Sequence, residues 1–173
     1  RNISRMGRSR YAIQVVVYWA VCSLFLYLSF PSFSKTWVVD ARGDLRSIKL
    51  AIERASDGDT IRIMPGLYKE GNLTIQKPIV IMGIRYPVLD GENKFEIFTI
   101  AANDVSIIGL RMVNTGVASI NDVSAVNAIE SNRLRVLNNQ FENTFFGIHL
   151  ANSKGCVIEN NVLHSDGESE HQI

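Results

Sequence analysis

Three histidines, His149, His164 and His171, are the side chains in this sequence best suited to hold a metal at neutral pH. Imidazole suits copper, and copper(I) also takes sulfur, which adds Met64, Met82 and Met112 to the set. No two of these residues carry a diagnostic spacing such as i, i+4 on a helix. Alternation with Ile148 and Leu150 predicts that His149 points outward, whereas His164 follows Leu163 at a corner and His171 sits in the acidic stretch SDGESEH. Acid–base chemistry would instead need clustered carboxylates, or a base beside a positive group. Asp57-Gly58-Asp59 and Asp90-Gly91-Glu92 read as turns, and Asp166, Glu168 and Glu170 as a solvated run, so no residue is assigned a catalytic role.

Asparagine is the other polar signal. LRVLNNQF (134–141) and CVIENNVL (156–163) each place an Asn pair inside a run that otherwise reads as a buried strand. The elements that position these pairs emerge when the chain is aligned with itself. IVIMGIRY from Ile79, VSIIGLRM from Val105, LRVLNNQF from Leu134 and CVIENNVL from Cys156 superpose, with starts 26, 29 and 22 residues apart. Apolar residues at the first and third positions give the period of two that a strand requires. A second short apolar stretch precedes each: LTI at 73, FTI at 98, NAI at 127 and GIHL at 147. Turn residues, such as Asn103-Asp104 and Asn152-Ser153, separate the two.

Two or three strands in about 22 residues make one coil, and coils stacked at about 4.8 Å bury a continuous inward stripe. The prediction is an all-β chain, a right-handed parallel β-helix; the leucine framework of a leucine-rich repeat is missing. Within it the first position of the special pair reads Gly83, Gly109, Asn138, Asn160, residues that accept a left-handed backbone. The second reads Ile84, Leu110, Asn139, Asn161, an inward slot in which the two amides should stack from coil to coil. Gly83, Gly109, Asn138, Asn139, Asn160 and Asn161 are thus a structural ladder. Cys156 shares its slot with Ile79, Val105 and Leu134, which predicts a buried, inert thiol. The 29-residue step holds an excess at NTGVASINDVS (114–124), expected on an outward loop.

Ahead of the coils, DLRSIKLAIERASDGD places Leu45, Ile48, Ala51, Ile52 and Ala55 on one helical face, with Asp44 as N-cap and Ser56-Asp57-Gly58 as the stop. This is expected to be an amphipathic helix capping the solenoid's open end. Four of the 18 Lys and Arg residues, Arg1, Arg5, Arg8 and Arg10, precede YAIQVVVYWAVCSLFLYLSF, which is free of charge. That pattern reads as a signal peptide or an N-terminal membrane anchor over residues 1–34. An N-terminal strand and capping helix then occupy 35–57, and coils occupy 58–173, with the chain expected to be the N-terminal part of a longer protein. From Lys35 onward 14 basic residues face 17 acidic ones, which argues against a nucleic-acid partner.

The run SIKLAIERASDGDTIRIMPGLYKEGNLTIQKPIVIMGIRYPVLDG, above all its Gly58–Ile61 and Pro65-Gly66-x-Tyr68 element, resembles the first coils of pectin-lyase-like right-handed β-helix proteins. GNLTIQKP, LDGENKFEIFTI, VSIIGLRMVNTG and FGIHLANS, in that order after a signal-like segment, resemble the NosD family within that group. The resemblance implies a periplasmic or otherwise exported maturation factor that assists copper-centre assembly of nitrous oxide reductase. Its implied partners are the ATPase and permease of an ABC transporter and nitrous oxide reductase or a copper chaperone, with copper as the implied metal. The alternatives are an exported carbohydrate-active β-helix enzyme (polysaccharide lyase, hydrolase or epimerase) and a non-catalytic sugar-binding β-helix.

Overall fold

The computed structural model describes residues 34–117 and 123–164, all within the unit Ser34–Ile173. Among them β1 (Thr36–Val39) leads to helix α1 (Ile48–Arg54), and the coils then follow in a fixed rhythm. The first coil is β2 (Thr60–Ile63), β3 (Leu67–Tyr68) and β4 (Leu73–Ile75); the second is β5 (Val80–Gly83), β6 (Val88–Asp90) and β7 (Phe98–Ile100). The third is β8 (Ser106–Ile108), β9 (Arg111–Val113) and β10 (Ser124–Ile129), and the fourth β11 (Arg135–Leu137), β12 (Gln140–Glu142) and β13 (Phe146–Ala151). Strands β14 (Val157–Glu159) and β15 (Val162–His164) begin a fifth.

Corresponding strands pair in parallel. Sheet A runs β1-β2-β5-β8-β11-β14, sheet B β3-β6-β9-β12-β15 and sheet C β4-β7-β10-β13. The chain therefore winds A, B, C, A as a right-handed parallel β-helix. The period of two in each strand drives this: Ile61, Ile81, Ile107 and Val136 lie in register on sheet A and are all fully buried. Phe98, Ile100, Met112 and Phe141 bring sheets C and B into the same core. Removing such a stack of Ile, Phe and Leu side chains from water gives each about 1.5–3 kcal/mol, which offsets the ordering of many short strands.

Helix α1 starts later than Asp44 predicts. Ser47 is the N-cap, its hydroxyl accepting from Leu50 N at 3.1 Å, because Leu45 and Arg46 precede the helical turn. Both helix ends are held by the segment around β4. The Glu70 carboxylate accepts from Ser47 Oγ, Ile48 N and Lys49 N, and Lys77 Nζ donates to the carbonyls of Ile52, Glu53 and Ala55. An anion at the N-terminus and a cation at the C-terminus match the helix dipole. Ile48, Ala51 and Ile52 pack into the core. Among the described residues no helix is long and apolar enough to cross a membrane. The predicted segment 1–34 lies outside them apart from Ser34.

The corner between sheets A and B carries the asparagines. Gly109, Asn138 and Asn160 have φ of 68°, 55° and 56°. Asn139, almost wholly buried, accepts from Leu110 N through Oδ1 at 3.0 Å and donates through Nδ2 to Ile107 O at 3.0 Å. Asn161 repeats the pattern one coil on, Oδ1 accepting from Asn139 N at 2.9 Å and Nδ2 donating to Val136 O at 2.7 Å. Gly83 departs from the expectation, since its φ is not positive. Its coil turns over four residues, Ile84 to Pro87, and the left-handed positions are Arg85 and Tyr86. Glycine is needed at 83 for close approach: a Cβ there would lie 2.2 Å from Gly109 O. Ile84, correspondingly, is only half-buried.

A polar face on sheet C

The outward positions of sheet C form a continuous polar row. Register places Thr74 beside Thr99, Thr99 beside Asn127 and Asn127 beside His149. Aligning NAI (127–129) with FTI (98–100) is off by one: Phe98 pairs with Val126, so the matching triplet is VNA. A one-residue slip exchanges the faces of a strand. The correct register buries Val126 and Ala128 and turns Asn127 outward, with His149 next to it.

Hydrogen bonds join this row through Glu96, which precedes β7. Thr99 Oγ1 donates to Glu96 Oε2 at 2.8 Å and accepts from Asn72 Nδ2 at 2.8 Å; its single proton goes to the carboxylate. Asn127 Nδ2 donates to Glu96 Oε1 at 3.0 Å. Because an ionised carboxylate only accepts, this bond fixes which way the Asn127 amide faces. Its Oδ1 is left toward His149 Nδ1 at 3.1 Å, so Nδ1 carries the hydrogen. Glu96 thereby selects the His149 tautomer through one intermediary, and in the neutral ring the coordinating lone pair belongs to Nε2. A histidine oriented by a carbonyl oxygen on its other nitrogen is the usual support for metal ligation or for accepting a ligand proton.

At the corner leading into sheet C, three aromatic side chains surface: Phe95, Phe145 and Phe146. Phe145 and Phe146 meet edge to face with centroids 4.8 Å apart. Phe146 opens β13, the strand that carries His149.

The other residues singled out from sequence lie elsewhere. His164 ends β15 on sheet B, level with Glu142, and is exposed. His171, like Asp166, Glu168 and Glu170, lies outside the described residues, as does 118–122 of the predicted excursion. Met112 is core, Met82 lies on the outer face of sheet A and Met64 in the corner after β2. Cys156 is half-buried, with Sγ 3.4 Å from Ser131 O. It is less enclosed than Val105 and Leu134, which are fully buried, so the buried thiol expected from its slot is only partly realised. Among the described residues no three His, Cys, Asp or Glu side chains gather as a metal site.

The carboxylates are occupied as well. Asp59 is buried and accepts from Ser56 N, Lys35 N and Trp37 Nε1. These bonds, the Ser56 N–H foremost, hold its carboxyl below the usual range. Asp90 meets Glu92 N, Asn114 Nδ2 and Lys69. Asp104 pairs with Arg133 at 2.6 Å, a bond that lowers the acid's pKa.

Sequence reading missed Asn72, Glu96, Thr99 and Asn127. It also missed a second ladder at the corner from sheet C to sheet A, where Asn103 Oδ1 accepts from Asn132 N and Asn132 Oδ1 from Lys154 N. The signal was present in DVSI, RLRV and GCVI: Asp104, Arg133 and Gly155, the first residues of these runs, share φ of 59°, 57° and 65°. Compared with known proteins, the chain matches no family model, no curated protein and no solved structure.

Proposed function

We propose that this chain is a non-catalytic binding solenoid of an exported maturation system, the NosD-like role its sequence resembles, which assists copper-centre assembly of nitrous oxide reductase beside an ABC transporter. The observation that supports this reading is the sheet C row, where Glu96 and Asn127 hold one imidazole with Nε2 as its coordinating atom. A resident copper ion does not fit the described residues, because His149 supplies one nitrogen and no other candidate ligand converges on it. Copper is therefore cargo in this reading, met by His149 together with ligands of a partner. The test compares cells making wild-type protein with cells making His149→Ala, reading the copper content and visible spectrum of the purified reductase. Loss of the copper centre in the variant, with the solenoid still folded, is the expected result. Full copper loading without this chain would remove the proposal.

A second reading, a sugar-binding face, draws on Phe95, Phe145 and Phe146 beside the amide, hydroxyl and carboxylate groups of the same row. Aromatic rings with adjacent hydrogen-bonding groups suit a saccharide's apolar face and its hydroxyls. Calorimetric titration with neutral and acidic oligosaccharides distinguishes the two: millimolar or tighter binding lost in Phe145→Ala supports the sugar reading.

A further inference from the structure

The outer face of sheet A differs in character from sheet C. Its central outward row reads, strand by strand, Val38, Arg62, Met82, Ile108, Leu137, Glu159. The parallel row beside it reads Thr36, Thr60, Val80, Ser106, Arg135, Val157. Met82, Ile108, Leu137, Val80 and Val157 are only half-covered, so among the described strands this face holds an apolar strip flanked by the Arg62 cation, with Val38 exposed beyond it, and the Glu159 anion. Among the described residues neither Arg62 nor Glu159 has an ion pair or side-chain hydrogen bond.

We infer that sheet A is a self-association surface whose occupant is a second copy of this chain, packed face to face with its coils in reverse order. The charge pattern selects both the partner and the direction. A two-fold axis parallel to the strands, passing at β8, sets Arg62 against Glu159 of the second copy, Met82 against Leu137, and Ile108 against its own equivalent. In the parallel row it sets Thr60 against Val157 and Val80 against Arg135, whose aliphatic stem covers apolar surface while its head reaches water. No like charges then meet. A two-fold along the solenoid axis over the central row would instead oppose Arg62 to Arg62 and Glu159 to Glu159, which electrostatics disfavours.

The distances suit the pairing. Four strand steps of about 4.8 Å separate Arg62 from Glu159, and packed sheets lie about 10 Å apart, a gap that Met, Ile and Leu fill from both sides. An isologous contact of this kind is the commonest route to a symmetric dimer.

Sedimentation of the full chain, in detergent that keeps its N-terminal apolar segment dispersed, tests this. Wild type is expected to be dimeric at micromolar concentration. Arg62→Glu and Glu159→Arg should each weaken the dimer, on the order of tenfold at low salt, by placing like charges at both ends. The double variant Arg62→Glu/Glu159→Arg restores opposite charges and should recover the wild-type constant. At the two-fold position, Ile108→Lys and Ile108→Glu should each be monomeric alone and dimerise when mixed. All four are outward substitutions, and far-ultraviolet circular dichroism checks that the sheets persist. A wild type that stays monomeric at about 100 μM, about a hundredfold above a micromolar dissociation constant, would overturn the proposal. So would a double variant as weak as the singles, or an Ile108 pair that fails to associate on mixing.

Discussion

Asn139 is the buried polar residue on which the corner between sheets A and B depends most. Replacing it with alanine leaves Leu110 N without a partner in a site that is 1 % exposed and takes from Ile107 O, which still pairs with β11, its second hydrogen bond. Each orphaned backbone group costs about 1–3 kcal/mol, and the lost side-chain volume adds on the order of 1 kcal/mol. Asn139→Ala should therefore lower stability by about 2–4 kcal/mol, a large part of the 5–15 kcal/mol a domain has. Asn139→Leu separates the two contributions. The equivalent slot one coil earlier holds Leu110, so leucine fills the space but leaves Leu110 N unpaired. Its expected cost is about 1–3 kcal/mol. Asn161→Ala, half-buried and open to water, should cost about 1–2 kcal/mol. Urea unfolding followed by circular dichroism reads these as midpoint shifts, about 1–2 M for Asn139→Ala. If Asn139→Leu unfolds with wild type, the slot needs volume alone and the hydrogen-bond account of the ladder is wrong.

Gly83→Asn should prevent folding or cost more than about 3 kcal/mol, because its Cβ would collide with Gly109 O. Gly109→Asn, at a left-handed position where neighbouring coils use Asn, should cost less, about 1–2 kcal/mol in the same unfolding assay, because its Cβ would meet Gly83 O at 3.0 Å. Lys77→Met removes three bonds to the last carbonyls of α1 and should destabilise by about 1–2 kcal/mol. Hydrogen exchange should show faster opening of Ile48–Arg54 than of β8. Asp59 has a folded pKa below its unfolded value, so in the acid range the unfolded chain binds more protons. Its stabilisation is complete above the ordinary carboxylate pKa of about 3.9 and disappears as pH falls through the lower folded value. Thermal unfolding between neutral pH and pH 2 should show this loss, and Asp59→Asn should flatten it.

The strand period, the parallel stacking and the core of this fold were legible in the sequence because each is a local pattern repeated from coil to coil. Ile81, Ile107 and Val136 share one register, and any alignment that respects the period of two finds it. What was not legible depended on single-residue offsets. Asn127 could be placed inward or outward by a shift of one, and only pairing with Thr99 and His149 decides between them. Gly83 aligned with Gly109 by identity, yet the four-residue corner ending at Pro87 moves the left-handed geometry to Arg85 and Tyr86. Glu96 was invisible for another reason: it stands outside the strands, and its role depends on reaching residues 3 and 31 positions away.

The way the corners are built says where binding must be sought. Asn139 and Asn161 tie one corner, Asn103 and Asn132 tie another, and Asn114 and Asn143 repeat a left-handed turn at the third, with φ of 53° and 51°. Substitutions at these positions break backbone hydrogen bonds or force strained φ, so they are costly whatever the protein does. The inward rows are fixed by packing for the same length of chain. Chemistry can therefore vary freely only on outward strand positions, and there the sheets have diverged. Sheet C presents amide, hydroxyl, carboxylate and imidazole groups in one hydrogen-bonded row, whereas sheet A presents Met82, Ile108 and Leu137 between Arg62 and Glu159. Two faces of opposite character on one regular scaffold are what a protein needs to hold a polar ligand or partner on one side while associating through the other. Independent substitutions test that division: His149→Ala should leave the dimer intact, and Arg62→Glu should leave the sheet C row able to bind.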